Sequence, residues 1–355
     1  MRPYQVTGFK WLKSLDHYGF GGVLADDMGL GKTIQTIAFV QSKIEQEEGK
    51  YLIVCPSSVL FNWQHEWDKF VPDTETIIIS GNKEEREAKR QEAIDNDIPV
   101  WITSYPLIQR DSDLYEEDVF KTIVLDESQN VKNSAAKTTK AVKRLQAETK
   151  IALSGTPIEN HLGELWSLFS IIQPGLFRNR KVFKAMEHER IATKIKPFIL
   201  RRLKRDVLDD LPEKTETTEY IALSDGHKRL YQTQRAAIKQ ELKEFVDSDT
   251  LKTNRIKVLA GMTRLRQICC DPRLIMPDYE GESSKLERLM EYLEEARANG
   301  KRVVLFSQFT SMLKIIRERL DKIDVDYHYL DGQTKNEQRL ELTTRFNTGE
   351  KDLFL

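Results

Sequence analysis

The segment Ala25-Asp26-Asp27-Met28-Gly29-Leu30-Gly31-Lys32-Thr33 constrains this chain more than any other. It follows the apolar run Val23-Leu24-Ala25 and leads into Ile34-Gln35-Thr36, the opening of a helical pattern. Strand, glycine loop and helix in that order make a phosphate-binding loop. The glycines let backbone N–H groups close on phosphate oxygens, and the helix N-terminus adds a positive dipole end. Lys32 is placed to reach the β and γ oxygens, and Thr33 to ligate magnesium. The strict pattern G-x-x-x-x-G-K-[ST] asks for glycine at position 26, where this chain has Asp26. That departure argues against a small-GTPase or kinase-like loop and suits the variant with Gly29 and Gly31 near the lysine.

Around this loop, short β-branched runs alternate with amphipathic stretches. The runs are Val23 to Ala25, Tyr51 to Cys55, Thr76 to Ile79, Val100 to Thr103, Thr122 to Leu125 and Ile151 to Leu153. The rhythm predicts an α/β fold, a parallel sheet with crossover helices. The runs are apolar without alternation, so both sheet faces should be buried and the chemistry should lie beyond the strands' C-terminal ends. From Pro157 to Val303 strand signal nearly vanishes. Helical stripes replace it, one of Tyr231, Ile238, Leu242 and Phe245 and another of Val258, Met262, Leu265 and Ile268. The sheet rhythm then resumes with Val303 to Phe306, a helix near Met312 to Leu320, a strand from Asp326 to Leu330 and a helix from Lys335 to Phe346. It stops at Asp352-Leu353-Phe354-Leu355, the opening of a buried strand, which reads as a fragment.

Two further strand ends carry chemistry. Thr122-Ile123-Val124-Leu125-Asp126-Glu127-Ser128-Gln129 puts two carboxylates at the end of a buried strand. Asp126 is placed to join a magnesium coordination shell and Glu127 to polarise an attacking water. Capping of the following helix is the alternative for this pair. In Ile151-Ala152-Leu153-Ser154-Gly155-Thr156-Pro157 a third strand runs into a small-residue turn, whose hydroxyls are placed to sense a γ-phosphate or simply to make the turn.

Charge sharpens the reading of partners. The chain's 55 basic and 56 acidic residues nearly cancel, which alone argues against nucleic acid. The average hides a segregation: from Arg178 to Arg205 eleven Lys or Arg face only Glu187 and Glu189. Such a run is either a solvated face or a phosphate-binding surface. No apolar run approaches the ~20 residues of a membrane-spanning helix, so no membrane partner is expected. The 3 cysteines, Cys55, Cys269 and Cys270, lack zinc-site spacing and suit a reducing compartment, cytoplasmic or, in a eukaryote, nuclear.

Taken in order, these motifs resemble helicase superfamily two and, within it, the SWI/SNF group of DNA-translocating ATPases. Arg2-Pro3-Tyr4-Gln5-Val6-Thr7-Gly8 is similar to the group's adenine-recognising segment. Cys55-Pro56-Ser57-Ser58-Val59-Leu60 with Asn62-Trp63 resembles motif Ia, and Thr103-Ser104-Tyr105 motif Ib. Asp126 to Gln129 resembles the Walker B box, Ser154 to Asn160 motif III, and Leu305 to Thr310 motif IV. Leu200-Arg201-Arg202-Leu203-Lys204 and Leu265-Arg266-Gln267-Ile268-Cys269 also look like this group.

The resemblance implies a RecA-like P-loop NTPase lobe over residues 1–173, a helical insertion and linker over 174–283, and an incomplete second RecA-like lobe over 284–355. It implies ATP and Mg2+ as cofactors. Lys32, Asp126 and Glu127 would be catalytic, and Thr33 and Asp126 metal ligands. Gln5, Asp27, Met28, Gly29, Leu30, Gly31, Lys32 and Thr33 would bind the nucleotide, with Gln129, Ser154 and Thr156 coupling. Ser57, Thr103, Ser104, Ser307, Gln308, Arg201 and Arg202 would touch DNA, chiefly its sequence-neutral backbone. The implied function is an ATP-dependent translocase on double-stranded DNA, acting on a DNA-bound protein, with a monomer favoured. Because motifs V and VI are absent, this chain is expected to bind ATP but turn it over weakly. An RNA-directed helicase and a non-hydrolysing nucleotide-binding module are the alternatives.

Overall fold

The computed structural model describes residues 1–46, 48–155, 162–208, 214–247, 250 and 253–355. They form two compact units, Met1–Glu213 and Lys214–Leu355. Among the described residues no helix is long and apolar enough to cross a membrane.

The first unit is built on β1 (Gly22–Leu24), β2 (Tyr51–Cys55), β3 (Thr76–Ile78), β4 (Val100–Ser104), β5 (Val119–Leu125), β6 (Gln146–Leu153) and β7 (Ile199–Leu200). They lie in the order β3-β4-β2-β5-β6-β1-β7, and every pairing is parallel. The unalternating apolar runs have the consequence expected of them, because successive residues of a strand enter opposite cores. Leu52 and Val54 join Ile123, Leu125 and Ala152 under one face, with Tyr105, Leu165 and Phe169 covering them. Tyr51, Ile53 and Cys55 join Val124 and Ile151 under the other, covered by Leu12, Phe39, Trp63 and Trp67.

β7 comes from a stretch that carries hardly any strand signal. Two residues are too few to show a period, and tertiary pairing makes the strand: Val23 faces Ile199 and Leu24 faces Leu200. The ladder then continues past the strand ends, with Ala25 N–H donating to the Leu200 carbonyl at 2.7 Å and Asp27 N–H to that of Arg202 at 3.0 Å. The segment 199–204 therefore lies along the glycine loop.

In the second unit the helices Asp225–Asp247 and Arg255–Cys270 pack where Gly261 meets Ile238. Ile238 and Ile268 are buried, whereas Met262, assigned to the same stripe as Ile268, is 55% exposed. β8 (Val303–Val304) pairs in parallel with β9 (Leu353–Phe354). The expected strand Asp326–Leu330 is reduced to one bridge, His328 to Phe354, although backbone bonds from His328 and Leu330 to Leu353 and Leu355 flank it. Leu286, Leu293, Leu313, Ile316 and Leu320 form this unit's core against Leu353 and Leu355.

Candidate functional site

The loop after β1 ends at Gly31, the residue that caps the helix Lys32–Ile44. Gly29 and Gly31 have φ of +84° and +77°, a left-handed backbone that residues with a Cβ adopt at a cost. A Cβ on Gly31 would also lie 2.5 Å from Gln5 Nε2. Gln5 is engaged by the loop itself: Nε2 donates to the Leu30 carbonyl at 3.2 Å, and Oε1 accepts from Arg2 N–H at 2.8 Å. The Tyr4 hydroxyl donates to the same Leu30 carbonyl at 3.1 Å. Met28 and Gly29 are exposed, Leu30 is buried, and Asp27 is half-buried with its carboxylate accepting from Lys204 N–H at 3.0 Å.

The Lys32 ammonium turns into the loop and donates to the Asp26 carbonyl at 2.8 Å and the Asp27 carbonyl at 3.4 Å. Burial pushes its pKa down, opposed by the negative field of Glu127, Asp26, Asp126 and Asp27. Lys32 and the Asp126-Glu127 pair thus share one site at the C-terminal edge of the sheet. Motif III approaches the same point: a Cβ on Gly155 would lie 2.8 Å from Met28 Cγ and 3.7 Å from Lys32 Nζ. Ser154 N–H donates to the Leu24 carbonyl at 3.1 Å, which ties this turn to β1. Thr156 lies outside the described residues.

Asp126 is held on every side. Its Oδ1 accepts from Glu127 N–H at 2.9 Å, its Oδ2 from Trp63 Nε1–H at 2.8 Å, and its carbonyl from the Tyr105 hydroxyl at 2.6 Å. Burial raises its pKa, and the indole bond is the largest influence opposing that rise. Glu127 sits at φ +46°, a left-handed conformation costing a residue with a side chain about 1–3 kcal/mol, of the kind that gathers at functional sites. Gln129 Nε2 donates to Glu127 Oε2 at 2.6 Å and so fixes that carboxylate.

The donor set fits magnesium. The Thr33 hydroxyl makes no hydrogen bond among the described residues, and Asp126 supplies carboxylate oxygen. Hard oxygen donors in small number suit a magnesium ion that keeps most of its shell for phosphate and water. Among the described residues no group of three or more His, Cys, Asp or Glu could hold a metal ion.

Several residues assigned to DNA sit elsewhere than expected. Thr103 is fully buried and its hydroxyl donates to the Ile79 carbonyl at 3.1 Å, while Ser104 is 1% exposed. Neither side chain is open to a duplex, because both sit at the end of a strand covered on two faces. Arg202 is also corrected. Its Nε donates to Asp26 Oδ1 at 2.9 Å and its Nη2 to both Asp26 Oδ2 and Gln35 Oε1, while Nη1 binds the Tyr4 carbonyl. Asp26, where the strict loop pattern has glycine, is the carboxylate this guanidinium neutralises, and it is 0% exposed. Arg201 beside it is exposed, and Ser57 is half-buried. In the second unit Ser307 closes a local turn with Phe309, and the exposed Gln308 accepts from Arg266.

Comparison with known proteins gives the family. The SNF2-related domain profile matches residues 4–274, and the helicase conserved C-terminal domain profile residues 284–355. The chain is 36% identical to the putative ATP-dependent helicase/translocase YwqA of Bacillus subtilis, with 99% of this chain and 40% of that protein aligned. It is 32% identical to the mouse SWI/SNF-related matrix-associated actin-dependent regulator of chromatin subfamily A member 1, covering 100% of this chain and 36% of that protein. The chain therefore spans well under half the length of these relatives. Among solved structures, the Sulfolobus solfataricus SWI2/SNF2 ATPase core in complex with dsDNA is similar, with a TM-score of 0.57 and 35% identity over 100% of this chain and 77% of that one. The parallel α/β fold is that of this RecA-like core. On its sequence and its fold alike, the chain belongs to the family of SNF2-related domains, followed here by a helicase conserved C-terminal domain.

Proposed function

We propose that this chain is the motor region of an ATP-dependent translocase that moves along double-stranded DNA. The observation that carries the reading is the shared site at the sheet edge, where Lys32 lies in the field of Asp126 and Glu127 beneath a left-handed glycine loop. The loop N–H groups and Lys32 hold the triphosphate, and Leu30 and Gly31 are braced for this by Tyr4 and Gln5. Thr33 and Asp126 would hold magnesium, which would supply neutralisation of charge on the phosphate oxygens. Glu127, its second carboxylate oxygen fixed by Gln129, orients the attacking water. Ser154 and Thr156 report the state of the phosphate to the rest of the lobe. Glu127→Gln should leave nucleotide affinity in place and lower steady-state turnover by about 10²–10⁴-fold. An unchanged rate would instead mark a binding module without hydrolysis.

DNA as the partner is supported by the dsDNA complex of the Sulfolobus relative and by the surface charge. Arg178, Arg180, Lys181, Lys184, Arg190, Lys194, Lys196, Arg201, Lys204 and Arg205 are all exposed. Together with Ser57 they suit contact with a phosphate backbone irrespective of sequence, and in the second unit the exposed Gln308 is by itself of a type that suits the same contact. Converting Arg178, Arg180, Lys181 and Lys184 together to Gln should weaken duplex binding. The slope of log affinity against log salt should flatten by about 0.9 for each phosphate that is no longer neutralised. ATPase stimulation by duplex DNA, single-stranded DNA and RNA compares the partners, and stimulation by RNA alone would overturn the assignment. The divisions at 173/174 and 283/284 are proposed as functional boundaries, the second supported by the helicase C-terminal match that begins at residue 284; the first leaves β7, which completes the first unit's sheet, on the insertion side.

A further inference from the structure

Trp63 is 1% exposed, packed in the apolar layer that holds Leu60, Trp67, Tyr51 and Ile53. Leaving an indole N–H unpaired at this depth is costly, and unlike that of Trp67 in the same layer, which has no partner among the described residues, the Trp63 N–H is paired. Here the acceptor is Asp126 Oδ2 at 2.8 Å; the other carboxylate oxygen accepts from Glu127 N–H, and the residue's backbone carbonyl accepts from the Tyr105 hydroxyl. The helix Leu60–Phe70, the helix Tyr105–Arg110 and the turn after β5 thus converge on one residue. Rotating the Asp126 carboxylate would break the indole bond and strand a buried donor, which costs more than the bond itself contributes.

We infer that Trp63 is a positioning residue: its indole N–H holds the Asp126 carboxylate in the single orientation that serves the magnesium site. The inference rests on the nucleotide site proposed above. Partners that orient a metal ligand in this way typically contribute about 10–100-fold in metal affinity.

The test separates the N–H from the ring. Trp63 is replaced by 3-benzothienylalanine, which keeps the bicyclic shape and carries sulfur in place of N–H, and in parallel by Phe (Trp63→Phe). Mn2+ affinity is measured by electron paramagnetic resonance in the presence of ADP, and ADP affinity is measured in Mg2+ and in EDTA. The expected result is Mn2+ binding at least about tenfold weaker in the isostere, with ADP affinity in EDTA unchanged. The Trp63 indole N–H resonance, identified by its loss in Trp63→Phe, should also move in Asp126→Asn. Wild-type Mn2+ affinity in the isostere, or ADP binding weakened equally with and without metal, would overturn the inference and leave Trp63 as core filling. Lys32→Ala is measured beside it. If Lys32→Ala loses ADP while the isostere binds Mn2+ normally, only the role of Trp63 fails. If Lys32→Ala binds ADP normally, the nucleotide site itself fails.

Discussion

Lys32→Ala should bind ATP about 10–100-fold more weakly than the parent chain, because it deletes a charged hydrogen bond to phosphate contributing about 1.5–3 kcal/mol. Turnover should fall further, by about 10²–10³-fold, since the ammonium also meets charge that develops on the transferring group. Fluorescent-nucleotide titration and steady-state phosphate release measure the two effects. The ammonium donates to the Asp26 and Asp27 carbonyls, a role that water can take over at this half-buried position. The fold should therefore survive the substitution, and circular dichroism with thermal melting checks that it does. Unchanged affinity and unchanged rate would remove the phosphate-loop assignment and the motor reading with it.

Arg202→Ala should behave very differently, as a stability mutant. The Arg202 side chain is 12% exposed and that of Asp26 0%, so the substitution leaves a carboxylate buried without its countercharge. Breaking such a pair from one side costs about 3–5 kcal/mol, whereas exposed Arg201→Ala should stay within about 0.5 kcal/mol. Urea unfolding of the two variants makes the comparison. Nucleotide affinity should drop together with stability in Arg202→Ala, because the guanidinium also holds the Tyr4 carbonyl and Gln35, which frame the loop. The double variant Asp26→Asn with Arg202→Met removes both charges and should recover most of the lost stability. Equal stability of Arg201→Ala and Arg202→Ala would show that the buried pair is not what holds segment 199–204 to the loop.

Much of the site was legible in the chain because its signals are local. Six strand runs stand out as unbroken apolar stretches, and the glycines, Lys32 and the Asp126-Glu127 pair stand at their ends within a few residues of each run. β7 is not legible because two residues carry no period, and the role of Trp63 is not because nothing near it in the chain marks an indole destined for a carboxylate on another strand. Thr103 and Ser104 are assigned to DNA only through the resemblance to motif Ib, and a motif says nothing about the burial of its hydroxyls. Only the packing of β4 between β2 and β3 buries them.

By itself, then, the sequence determined a parallel α/β sheet, a glycine loop with its lysine, and two carboxylates on the edge where that lysine stands, all from periodicity and adjacency. The tertiary structure alone decided which members of a uniform basic run face solvent and which one is internal. Arg201 and Arg202 are chemically identical neighbours, but a guanidinium is buried only where a carboxylate meets it. That carboxylate, Asp26, lies 176 positions away along the chain and arrives only when β7 pairs with β1.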